Sequence, residues 1–126
     1  MVSDEALIAA AHAARERAYA PYSGFTVGAA LLCDDGTVVT GCNVENASYG
    51  VTMCAERGAV SAAVASGRLR YVALAVAGPE EAVTPPCGAC RQVLAEFNPM
   101  LRVLYSAGES VEITSLETLL PARFEL

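Results

Sequence analysis

Basic charge is scarce in this 126-residue chain: eight Lys+Arg stand against fourteen Asp+Glu, a formal net charge of −6. Neutralising phosphates takes clustered basic side chains, so nucleic acid is not expected as a partner. Long apolar runs are also missing. The stretch from Ala6 to Ala14 is interrupted by His12 and followed by Arg15, Glu16 and Arg17. It falls far short of the roughly 20 residues that a spanning helix needs, and it lacks a basic leader. Neither a membrane span nor a signal segment is expected. Charged residues make up only 17% of the chain against 54% apolar ones, which excludes a disordered chain. Repeats, low-complexity tracts and linkers are absent, so residues 1–126 read as a single domain. The composition is apolar for this size. A domain this small buries roughly two-thirds of its unfolded surface, and the surplus points to contact between subunits.

There is one histidine, His12, far in sequence from the five cysteines, Cys33, Cys42, Cys54, Cys87 and Cys90. An odd number of thiols with no signal segment points to a reducing, cytoplasmic setting. Clustered thiols there are metal ligands or catalytic groups more often than disulfides. Cys33 and Cys42 read as small buried apolar groups.

The periodicity predicts alternating helices and strands. Ser3 with Asp4 and Glu5 starts a helix whose face carries Leu7, Ile8, Ala11, Ala14 and Ala18 and which Pro21 and Gly24 end. A strand from Phe25 to Cys33, a turn at Asp35-Gly36 and a return strand from Val38 to Cys42 make a hairpin. A helix from about Met53 to Ser66, capped by Gly67, leads to a buried strand from Tyr71 to Ala77. A helix from Gly88 to Phe97, a strand from Arg102 to Ser106 and a strand from Val111 to Ile113 follow. Ser115 caps a last helix bearing Leu116, Leu119 and Leu120, which stops at Pro121. Helices between strands imply parallel neighbours, and short connections force antiparallel ones. The expected architecture is α/β: a mixed five-stranded sheet in a three-layer α-β-α sandwich, its last two strands antiparallel.

Two segments carry chemistry: Cys54-Ala55-Glu56-Arg57 and Pro86-Cys87-Gly88-Ala89-Cys90-Arg91-Gln92. Each opens a helix after a strand, where ligands collect in such folds. Three thiolates suit Zn2+ and leave the fourth tetrahedral position to water, the catalytic pattern. Three thiolates on one dication also leave the centre negative. Arg57 and Arg91, each beside a ligand cysteine, and the two helix dipoles offset this. Arg57 is expected to hydrogen-bond ligand sulfur. Glu56 is poorly placed as a fourth ligand beside three thiolates and fits a proton carrier better. A structural zinc corner and a thiol redox pair are the alternatives, but redox leaves Cys54 and Glu56 without a role.

Cys-x-Glu followed by Pro-Cys-x-x-Cys is the signature of the zinc deaminases. The chain resembles the small homotetrameric zinc-dependent cytidine deaminases, with Cys54 where some branches have His. The likeness extends to Tyr19–Phe25, Val27–Ala30, Asn43–Asn46 and Leu119–Phe124. It implies a cytidine deaminase-like fold and hydrolytic deamination of cytidine and 2′-deoxycytidine to the uridines, a pyrimidine-salvage step releasing ammonia. Water activated by one zinc per subunit attacks C4 of the cytosine ring, and Glu56 protonates N3 and then the leaving amino group. Asn43 and Glu45 bind the ribose, Phe25 packs beside the base, and the backbone at Ala55 contacts the pyrimidine. Tyr49 and Phe124 reach a neighbouring subunit's site. The negative charge of Glu45 favours nucleosides over nucleotides. Deamination of a blasticidin-type antibiotic and a non-catalytic zinc-stabilised module are the competing readings. The antibiotic branch lacks the Asn43–Tyr49 run in this form.

Overall fold

The computed structural model describes residues 2–126. Helix α1 (Asp4–Arg15) begins as expected: the Ser3 hydroxyl accepts from the Ala6 amide at 3.1 Å, and Asp4 and Glu5 sit at the positive end of the dipole. It stops at Arg15, before Pro21. The Arg15 guanidinium turns back to the Thr26 carbonyl and hydroxyl, at 3.1 and 3.0 Å.

Strand β1 (Gly28–Cys33) starts three residues later than expected. Phe25 to Val27 are taken up instead by Asn43, whose side chain and backbone bond to that segment. Strand β2 (Val38–Cys42) completes the hairpin. A single turn of 3-10 helix (Tyr49–Val51) precedes α2 (Ala55–Ala65), which begins after Cys54 because Met53 bridges Val44. Then follow β3 (Tyr71–Ala77), α3 (Gly88–Phe97), β4 (Arg102–Ala107), β5 (Ser110–Ser115) and the four-residue α4 (Leu116–Leu119).

The sheet order is β2-β1-β3-β4-β5. Strands β3 and β4 pair in parallel across α3, and β4 and β5 pair antiparallel, both as expected. The α2 connection differs. Strands β2 and β3 run in the same direction, but β1 lies between them and pairs antiparallel with both. The hairpin uses one edge of β1 and leaves the other for β3.

Alternation along β1 divides the core. Ala30 and Leu32, with Ala73, Ala75 and Leu104, pack against Leu7 and Ala11 of α1. Ala29, Leu31 and Cys33, with Leu74, Val76 and Val103, face Ala59, Val60, Leu94 and Leu116 from the other helices. The result is three layers. Cys33 is buried as expected, whereas Cys42, near the end of the edge strand, is only half-buried. Two glycines let helices approach the sheet. A Cβ at Gly28 would lie 2.0 Å from the Ala11 carbonyl oxygen, and one at Gly41 would lie 2.4 Å from that of Ala55. Gly41 therefore sets how closely the first turn of α2 descends on the hairpin.

Candidate active site

Cys54 and Cys87 are the N-cap residues of α2 and α3, with extended backbones that turn into the helices. Neither helix start has a side-chain cap, so both present unpaired backbone N–H groups and a positive dipole end to the sulfurs. Cys90 sits one turn into α3 and is buried. The three Sγ atoms lie within 4.8 Å of one another. Cys54 and Cys87 are 3.9 Å apart, and Cys87 and Cys90 are 3.4 Å apart. Sulfurs sharing a tetrahedral zinc at about 2.3 Å stand about 3.8 Å from each other, so the donor set fits one zinc ion per chain.

The thiols are unequal. The pKa of Cys54 is lowered to about 5 by the neighbouring Cys90, the Arg57 guanidinium and Cys87, against the opposing effect of burial. That of Cys90 moves the opposite way, through its contact with Cys54 and its burial. A coordinated dication would ionise all three.

Arg57 Nη2 donates to Cys54 Sγ and to the Thr52 carbonyl, both at 3.4 Å, while its buried Nε has no partner among the described residues. Arg91 does not join it. Its Nε donates to the Pro86 carbonyl at 2.8 Å and its Nη1 to the Leu119 carbonyl at 3.0 Å. The expected pair of arginines at the sulfurs is therefore a single one. Arg91 instead ties the segment before Cys87 to α4.

Cys54 and Cys87 line a cavity of about 440 Å³, within the range of small-molecule sites. Ala55 and Glu56 line it with them, together with Phe25, Asn43, Glu45 and Tyr49. Glu56 is 4% exposed, and burial raises its pKa, with the charge on Cys54 adding to the effect. Ala55 is the first residue of α2, a position whose N–H has no acceptor inside the helix.

Glu45, which lines the same cavity, is buried. Its Oε1 accepts from the Tyr22 and Ser23 amides at 2.9 and 3.1 Å. Its Oε2 accepts from the Ser23 hydroxyl and, at 3.3 Å, from the Tyr49 hydroxyl. These bonds, the Ser23 hydroxyl first, lower its pKa. The Asn43 Oδ1 accepts from the Val27 amide at 2.9 Å, and its Nδ2 donates to the Phe25 carbonyl at 2.8 Å. Tyr49 lines the cavity of its own chain. Phe124 does not: it is 69% exposed beside a different cavity, with its carbonyl held by Gln92 at 3.0 Å.

Sequence reasoning assigned no role to Ser23, Val76, Thr84 or Pro85, which also line the cavity. The buried Thr84 hydroxyl has no partner among the described residues. Its loop carries only generic turn signals. A serine two residues before Phe25, where a hydroxyl can bond its own backbone, was a readable sign.

The family described as "Cytidine and deoxycytidylate deaminase zinc-binding region" matches residues 1–107. The chain belongs to this family. The deaminase is 53% identical over 121 residues to the cytidine deaminase of Halalkalibacterium halodurans, covering 94% of this chain and 91% of that one. It is 50% identical over 122 residues to the cytidine deaminase of Sporosarcina psychrophila, covering 95% and 90%. The crystal structure of the Burkholderia pseudomallei cytidine deaminase superposes with a TM-score of 0.92 at 51% identity, over 98% of this chain and all of that one. The deaminase is thus a zinc-dependent hydrolase with the expected three-layer fold.

Proposed function

We propose that the deaminase hydrolyses cytidine and 2′-deoxycytidine to uridine and 2′-deoxyuridine with release of ammonia. The observation that carries this reading is one cavity lined by Glu45, Glu56 and two cysteines, Cys54 and Cys87, of the three-sulfur cluster. Cys54, Cys87 and Cys90 would hold the zinc ion, which would supply Lewis-acid activation of the water that attacks C4. Glu56 moves the protons, first to N3 and then to the departing amino group. Its burial suits this, because a carboxyl with a raised pKa takes and returns a proton nearer neutrality.

The free N–H of Ala55 is directed to the pyrimidine, and Phe25 packs beside the base. Glu45 accepts from sugar hydroxyls. Asn43 spends one amide proton on Phe25, and the second is available to the sugar. A pocket that pairs with a hydroxyl rejects analogues lacking it.

Exposed Tyr49, Val51 and Met53 near the cavity, together with the remote Phe124, support a homotetramer whose neighbours complete each site. The five free thiols suit the cytoplasm and a place in pyrimidine salvage. Among the described residues, no helix is long and apolar enough to cross a membrane.

The test is ultraviolet monitoring of cytidine and of cytidine 5′-monophosphate with the zinc-loaded protein. The reading expects conversion of cytidine and a much lower rate for the phosphate, which the charge of Glu45 repels. Equal turnover of both contradicts it.

A further inference from the structure

Ser23 bonds two groups that line the cavity, Glu45 and Phe25. Its amide donates to Glu45 Oε1 at 3.1 Å, and its hydroxyl donates to Glu45 Oε2. The same hydroxyl accepts from the Phe25 amide at 2.9 Å. A serine hydroxyl has one proton. With Phe25 N–H on its lone pair, that proton is committed to the carboxylate. The side chain therefore fixes the rotation of Glu45 and the backbone of Phe25 together.

The remaining acceptor capacity of Glu45 follows by counting. A carboxylate offers about four lone-pair directions. Two backbone amides fill those of Oε1, and Ser23 fills one of Oε2. The fourth meets only the Tyr49 hydroxyl, at 3.3 Å the longest of the set and the one from an exposed side chain. That direction is the one left for an incoming hydroxyl.

We propose that Ser23 is a positioning residue that aims the free lone pair of Glu45 at a sugar hydroxyl and so sets discrimination between ribosyl substrates and those lacking hydroxyls. This rests on the reading of Glu45 as the sugar acceptor.

The test is steady-state kinetics of zinc-loaded Ser23→Ala, Ser23→Thr and Glu45→Gln with cytidine and 2′,3′-dideoxycytidine. Ser23→Ala is expected to raise KM for cytidine about tenfold, the loss typical of a hydrogen bond to a charged group, with kcat nearly unchanged. Its kcat/KM for the dideoxy substrate falls less than for cytidine, because only the loosening of Phe25 is common to both substrates, so the preference between the two narrows several-fold. Ser23→Thr, which keeps the hydroxyl, restores the preference. Should the alanine variant fail to fold, Ser23→Cys keeps the size with a weaker donor and carries the same comparison. An equal loss on both substrates, or no loss on either, overturns the proposal. If Glu45→Gln abolishes the preference while Ser23→Ala does not, only the role of Ser23 fails. If Glu45→Gln leaves the preference intact, the sugar reading of Glu45 fails and takes the proposal with it.

Discussion

The Arg57 guanidinium donates to the Cys54 sulfur at 3.4 Å, making it the only arginine seen to bond the three-sulfur centre among the described residues. Removing it deletes a positive charge and a hydrogen bond from Cys54, whose pKa it helps to lower. Arg57→Ala should weaken zinc binding about tenfold or more, measured by competition with a chelator. Arg91→Ala should leave metal affinity nearly intact and lower thermal stability instead, because Arg91 holds only carbonyls. Unchanged zinc affinity in Arg57→Ala removes the role assigned to its contact with sulfur.

Glu56, the proposed proton carrier, is not part of the three-sulfur cluster. Glu56→Gln should retain fold, zinc content and assembly while turnover falls by about 10²–10⁴ or more, the range for losing a proton-transfer group. Zinc analysis and a cytidine assay on the same sample check this. A non-catalytic zinc module has no turnover to lose.

Backbone approach makes a prediction about two glycines. A methyl at Gly41 would collide with the Ala55 carbonyl oxygen and, at 2.5 Å, with the Ala59 amide nitrogen. Gly41→Ala should cost about 1–3 kcal/mol and reduce zinc affinity, because α2 must lift with Cys54 on its first turn. At Gly58 the nearest atom to an added Cβ is 3.7 Å away, within α2. Gly58→Ala should stabilise by up to about 1 kcal/mol through helix propensity. Denaturation of both variants measures the contrast.

The Glu45 carboxyl lies below its ordinary value of 4.5, chiefly through the Ser23 hydroxyl. A carboxyl depressed in the folded state contributes stability that is fully present above the unfolded value. That contribution is lost as pH falls through the folded value. The stability difference between the parent and Glu45→Gln should therefore stay constant from about pH 8 to about pH 5.5 and shrink below about pH 4.5. A difference that changes across the neutral range contradicts the assignment.

Local pattern made the metal site legible. Cys54 and Cys87 had to lie at helix starts because strands precede them, and Cys90 follows Cys87 by one turn, so three sulfurs could meet without knowledge of the whole fold. Long-range choices were less accessible. Whether β3 would join β2 or β1 depends on which sheet edge the hairpin leaves open, which no local pattern encodes. The early end of α1 goes with the pairing of Tyr19 with Asn43, Val44 and Glu45, more than twenty residues on. Arg91 looked like a companion to sulfur by adjacency alone, whereas its partners are Pro86 and the distant Leu119. Ser23 and Thr84 sit in segments that read as turn and loop, and only the folded wall brings them to the cavity.

The account stands most directly on the relation between bound zinc and turnover. Protein stripped with a chelator should be inactive on cytidine, and zinc added back should restore conversion to uridine linearly up to one equivalent per chain. Full activity in metal-free protein, or a zinc-loaded chain that leaves cytidine untouched, would contradict it.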